Sequence, residues 1–249
     1  MSASRRSAAA AAFAGILGEV LITLGALLGL FVAWQLWWTD VIADRNQAAV
    51  IDELAWEPFV YTEPMPMPIT PSTEADRVRR DMPPPTMDEP AHLTAFATMY
   101  VPRWGLDYVR PISQGTSKSD VLDVLGVGHY EGTAMPGGIG NFAVAGHRTT
   151  YGKPFSRIEE LVLDDPIVVQ TETAWYVYRV SSTQTVLPHQ VEVLVAVPGQ
   201  PGEIATEAVL TMTTCHPMYS ARERYIVHAT LDYWMESEDG PPVELNGGG

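Results

Sequence analysis

From Ile16 to Trp38 the chain runs for 23 residues in which only Glu19 and Gln35 are strongly polar. A bilayer core of ~30 Å needs about 20 helical residues, so this stretch is long enough to cross one. It exceeds the apolar region of about 7–15 residues in a cleaved signal peptide. It also ends in Trp34, Trp37 and Trp38, as an interfacial aromatic belt does. The pattern predicts an uncleaved transmembrane anchor over residues 16–38. Arg5 and Arg6 precede it, and residues 7–39 contain no Lys or Arg. That bias predicts residues 1–15 in the cytoplasm and the residues after the anchor outside the cell. Glu19 falls in the first turn, near headgroups and the positive end of the helix dipole. Gly25 and Gly29 form a GxxxG that would let two such helices approach closely.

After the anchor, the pattern of "VIADRNQAAVIDELAW" extends the helix over about residues 41–55. Nine prolines then fall between Pro58 and Pro90 inclusive. Proline at this density disfavours helix and interior strand and favours extended, semi-rigid chain. Residues 39–90 are therefore expected to form a Pro-rich acidic stalk that sets reach. The acidic, glycine-rich residues 237–249 are expected to be disordered.

The folded unit is expected over residues 91–236, enough for one core. Alternating and β-branched runs predict strands in "HLTAFATMYVPRWG", "NFAVAGH", "PIVVQT", "AWYVYRVSSTQTV", "AVLTMTTC" and "RYIVHATLDYW". Turn clusters such as "MPGGIGN" and "VPGQPG" separate them. Short helices are expected in "SKSDVLDVLG" and "PFSRIEEL". The fold class is mostly β, an antiparallel barrel or sandwich.

The formal net charge of −15 argues against nucleic acid as a partner, because phosphate binding needs a basic surface. Cys215 is the only cysteine, so no disulfide can form within the chain, and an unpaired thiol in an oxidising compartment is a candidate reactive group. There is no HExxH or CxxC, and neither a metal nor another cofactor is expected.

A thiol enzyme needs an acid/base partner and a group that stabilises developing negative charge. His147 follows "FAVAG" at a strand end, Cys215 ends "VLTMTTC", and Arg224 begins the next strand. Strand ends on one barrel rim would unite the three. Spacing alone leaves Cys215 either a nucleophile or a small apolar filler at the end of its strand. His216 should face away from Cys215, because adjacent strand residues point to opposite sides. His228, inside a strand, reads as structural.

"TMTTC", followed nine residues after the cysteine by "RYIV", resembles the T-L-x-T-C…R signature of sortases, the cysteine transpeptidases of Gram-positive surfaces. "AVAGHR" resembles their catalytic histidine loop. "GHYEGTAMPGGIGNFAVAGHR" and "TTCHPMYSARERYIVHA" resemble the class E group of actinobacteria. The resemblance covers about residues 92–234 and departs at Met212, where leucine is usual. It implies a sortase-type closed β-barrel of about eight strands with short helices. It implies Cys215 as nucleophile, His147 as general acid/base, and Arg224 as the group that positions substrate and stabilises the oxyanion.

The chemistry so implied is cleavage of an LPxTG-like sorting signal, LAxTG in class E, between Thr and Gly through a thioacyl enzyme. An amine acceptor from a peptidoglycan precursor or a pilin lysine would resolve that intermediate. Tyr130 would either line the signal pocket or pack beneath its loop. Thr214 would either contact the signal backbone or fill the strand. Thr214 stands where L,D-transpeptidases carry glycine, and histidine precedes cysteine, the reverse of papain-like and NlpC-type peptidases. The alternatives are another wall-active cysteine transpeptidase or peptidase, or a non-catalytic membrane-tethered β-domain that binds wall or protein ligands.

Overall fold

The computed structural model describes residues 2–61 and 77–246. Residues 62–76 of the expected stalk and 247–249 of the expected tail lie outside these. One helix, α1 (Ser2–Asp52), carries the whole apolar stretch. At 1.5 Å per residue its 51 residues extend about 76 Å. Side chains such as Leu28 and Phe31 are exposed along it, and the stretch is long and apolar enough to cross a membrane.

Among the described residues eight strands follow: β1 (Ala95–Tyr100), β2 (Val109–Gln114), β3 (Val127–His129), β4 (Gly140–Ala145), β5 (Pro166–Gln170), β6 (Ala174–Val186), β7 (Ala208–His216) and β8 (Glu223–Glu236). They close into a barrel in the order β1-β2-β3-β4-β7-β8-β6-β5. Alternation decides what fills it: Phe142 and Val144 of β4 and Leu210 and Met212 of β7 point inward and join Ile112, Tyr176, Tyr178 and Val227 in the core. Met212 is fully buried there, so the departure from leucine alters core packing, not the face that carries Cys215.

The barrel is not wholly antiparallel as the strand pattern suggested. β2 pairs in parallel with β3, and β4 with β7. Parallel neighbours need long crossovers, and residues 146–207, which include β5 and β6, supply the second one. The helix expected in "SKSDVLDVLG" is a single π-helical turn, Lys118–Leu122, and the one in "PFSRIEEL" a single 3-10 turn, Ile158–Glu160.

Two segments expected to lie outside the folded unit are packed on it instead. Residues 77–90 strap the barrel: Arg79 bridges Trp234, Trp234 Nε1 donates to Met82 O at 2.9 Å, and Tyr176 OH donates to Pro85 O at 2.9 Å. The expected disordered tail forms two 3-10 turns, Ser237–Asp239 and Val243–Leu245. Leu245 is buried against Tyr100, Val168 and Trp175, and Tyr233 OH donates to Glu244 at 2.5 Å. Composition suggested a semi-rigid spacer and a disordered tail, but a few apolar and ion-pairing positions suffice to dock both segments.

Candidate active site

β4 and β7 leave the sheet side by side and in the same direction. Their last registered pair is Ala145 and Thr213, and Gly146 N donates to Thr213 O at 3.2 Å just beyond it. Two residues further along each chain stand His147 and Cys215. The period of two along a strand keeps them on the outer face of the sheet, and neighbouring strands lie only ~4.8 Å apart. The antiparallel return of β8 then sets Arg224 directly opposite Cys215, and residues directly opposite share a face. Imidazole, thiol and guanidinium thus line one cleft of about 610 Å³, together with Tyr130, Thr214 and Tyr219.

His147 is half-buried and tied by Nε2 to Asp123 Oδ1 at 2.6 Å. A carboxylate only accepts, so the ring carries its hydrogen on Nε2 and leaves Nδ1 to exchange a proton. The Tyr151 ring flanks the imidazole with centroids 5.2 Å apart. Asp123 was not anticipated from the sequence. It sits 24 residues before His147 in a segment whose pattern announces only a helix, and no spacing rule marks it.

Arg224 Nη1 donates to the carbonyls of Ala221 at 3.1 Å and Glu223 at 2.9 Å. These bonds steady the guanidinium; Nε and Nη2 make no further hydrogen bond among the described residues, so they can serve an oxygen arriving in the cleft.

Tyr130 lines the cleft, and its hydroxyl is 3.1 Å from Thr213 Oγ1. The Thr214 hydroxyl is donated to Gly146 O at 2.7 Å, which ties β7 to the strand end that carries His147. Beneath this floor, buried Arg148 donates from Nη1 to the Cys215 carbonyl at 3.4 Å and meets His216 Nδ1 at 3.0 Å and the Glu159 carboxylate. His216 therefore points away from the thiol, as strand alternation requires, and packs against Tyr225.

Two further histidines are structural. His228 sits between Thr211 Oγ1 at 2.8 Å and Gln184 Nε2 at 3.0 Å, and burial pushes it down to about 4. Burial also lowers His129. Neither lines the cleft.

The sortase domain family matches residues 99–232. Over 250 residues the chain is 38% identical to Sortase SrtE1 of Streptomyces coelicolor, an alignment that takes in 97% of this chain and 64% of that relative's length. Among solved structures, the SrtA sortase from Actinomyces oris superposes with a TM-score of 0.63 at 41% identity, covering 67% of this chain and 95% of that one. Sortase E1 from Streptomyces coelicolor, solved with a tripeptide in its active site, gives 0.56 at 39% identity over 61% of this chain and 96% of that one.

Proposed function

The chain belongs to the sortase family of cysteine transpeptidases, and on that premise we propose that it is a membrane-anchored transpeptidase acting outside the cell on LAxTG- or LPxTG-like sorting signals. α1 holds the enzyme in the membrane through residues 16–38, with its amino terminus in the cytoplasm. The Cys215 thiolate attacks the threonine carbonyl carbon of the signal. The oxyanion that forms faces Arg224, whose guanidinium needs no proton transfer to do its work. Collapse breaks the Thr–Gly bond, and protonated His147 gives its proton to the departing glycine amine. The resulting thioester is attacked by an acceptor amine, a peptidoglycan precursor or a pilin lysine, whose proton passes to Nδ1 of His147. The second collapse frees the thiolate and leaves the protein on its acceptor.

The observation that carries this reading is the register: β4 and β7 run in parallel to one rim, and β8 returns Arg224 opposite Cys215. The peptide held in the active site of the Streptomyces coelicolor relative supports a peptide ligand in the equivalent cleft. The test is to incubate the protein with an LAxTG peptide and oligoglycine and follow both by mass spectrometry. The expected products are the Thr-linked conjugate and the released glycine fragment, both absent for Cys215→Ala. Turnover retained by that variant would end the proposal.

A further inference from the structure

The helix does not stop acting where the apolar stretch ends. Asp40, Ala43, Asp44 and Gln47 of α1 recur at helical spacing and so share one face. That face is seated on the loop that carries His147. Asp40 Oδ1 accepts from Gly152 N at 3.1 Å and Oδ2 from Lys153 Nζ at 2.8 Å. Gln47 Nε2 donates to Tyr151 O at 3.4 Å. Ala43 and Gln47 are buried by the contact, at 1% and 2% exposed.

The fit leaves no room for a side chain. A Cβ on Gly152 would lie 2.7 Å from Gln47 Nε2 and 3.2 Å from Asp44 Oδ1. On its other side Gln47 meets Gly126, where a Cβ would lie 2.8 Å from Gln47 Cδ. Gly126 closes the segment that carries Asp123. One side chain of the membrane helix is therefore wedged between the loop of His147 and the segment of Asp123, the two partners of the 2.6 Å bond. The loop needs such a support. Tyr151, Gly152 and Lys153 have φ of 55°, 75° and 35°, three successive left-handed residues of which two are not glycine, a conformation that persists only when its surroundings hold it.

We propose that this face of α1, through Asp40 and Gln47, positions the His147–Asp123 pair, so that proton transfer depends on the membrane helix being docked. Asp40 and Gln47 touch no reacting atom and act through the loop. The proposal rests on His147 being the acid/base of the reaction.

The test uses the full chain in detergent micelles or lipid nanodiscs, an LAxTG peptide and oligoglycine. Asp40→Ala and Gln47→Ala are each expected to lower kcat by about tenfold with KM within about twofold, because misplacing a proton-transfer group costs rate and not substrate binding. Asp40→Glu, which keeps the acceptor, should recover part of the loss. Combined with Asp123→Asn, Gln47→Ala should add little further loss, since both changes disable one pair. Wild-type kcat in both alanine variants, or losses that multiply fully with Asp123→Asn, would overturn the proposal. If an alanine variant melts well below the wild type, Asp40→Leu and Gln47→Met, which keep side-chain bulk but remove the polar groups, are read by the same criteria. His147→Ala is measured alongside. Turnover in that variant would remove the acid/base reading itself, whereas an inactive His147→Ala beside fully active helix variants would sink only the positioning role.

Discussion

Cys215 and Arg224 are register partners across the β7–β8 ladder, so the sheet itself sets a thiol against a guanidinium. The loop between the two strands need only return the chain; the ladder does the aligning. Arg224→Lys keeps the charge but loses the planar fork whose Nη1 is held by two carbonyls. Turnover should fall by about a hundredfold, the usual cost of one lost oxyanion donor, with the melting temperature unchanged. Peptide-cleavage kinetics and a thermal melt on the same sample check this, and equal activity would remove the oxyanion role.

Asp123→Asn tests the bond to His147. An amide can present either an acceptor or a donor to Nε2, so the ring's orientation and tautomer are no longer fixed. A fall in kcat of about tenfold to a hundredfold is expected, part of the 10²–10⁴ that acid–base catalysis supplies. The peptide's KM should barely move. A variant as fast as the wild type would mean that the carboxylate holds the loop and does nothing for the chemistry.

Acid should weaken the fold through His228. The ring accepts from Gln184 at Nε2 and donates from Nδ1 to Thr211, an arrangement only the neutral form makes. Burial sets its value at about 4 in the fold, against about 6.5 in the unfolded chain. Between these the unfolded chain binds a proton that the folded one does not. Stability is therefore complete above about pH 6.5 and drains away as pH falls toward 4, by about 3 kcal/mol in all. Urea unfolding at pH 7 and pH 4.5 should show the drop, and His228→Gln should shrink it. An equal drop in the variant would assign the loss to other groups.

The strap over the barrel should be stabilising. Removing residues 1–90 instead of 1–76 deletes the Arg79–Trp234 bridge and the bonds to Met82 and Pro85, and uncovers the Trp234 and Tyr176 rings. A loss of about 3 kcal/mol follows from those hydrogen bonds and the apolar area, or roughly 6–12 °C for a domain of this size. Calorimetry of the two shortened chains decides it. Equal melting temperatures would return residues 77–90 to the role of spacer.

Elements with strong period-two patterning were legible in the sequence. β6 coincides with "AWYVYRVSSTQTV", and β7 runs one residue past the run that predicted it. β2 was not, because Pro111 lies inside it; the structure tolerates that proline because pairing with β3 begins only at Ile112. β3 is three residues long and includes Gly128, too short to show a period. The cleft was legible as residue types at strand ends. The parallel β4–β7 pairing that unites them was not, since sequence adjacency says nothing about a crossover of some 60 residues. Asp123 and Gln47 were hidden for a related reason: each acts through a contact between segments far apart in the chain, and neither has a local pattern of its own.

With α1 seated in a bilayer, its unbroken run from the tryptophan belt to the barrel has a spatial consequence. Gln47 stands nine residues beyond Trp38, about 14 Å of helix. A stiff post of that length carries the reaction just above the lipid headgroups and gives it no freedom to search outward. On the function proposed above, a sorting signal would have to lie within this shallow layer for the cleft to reach it.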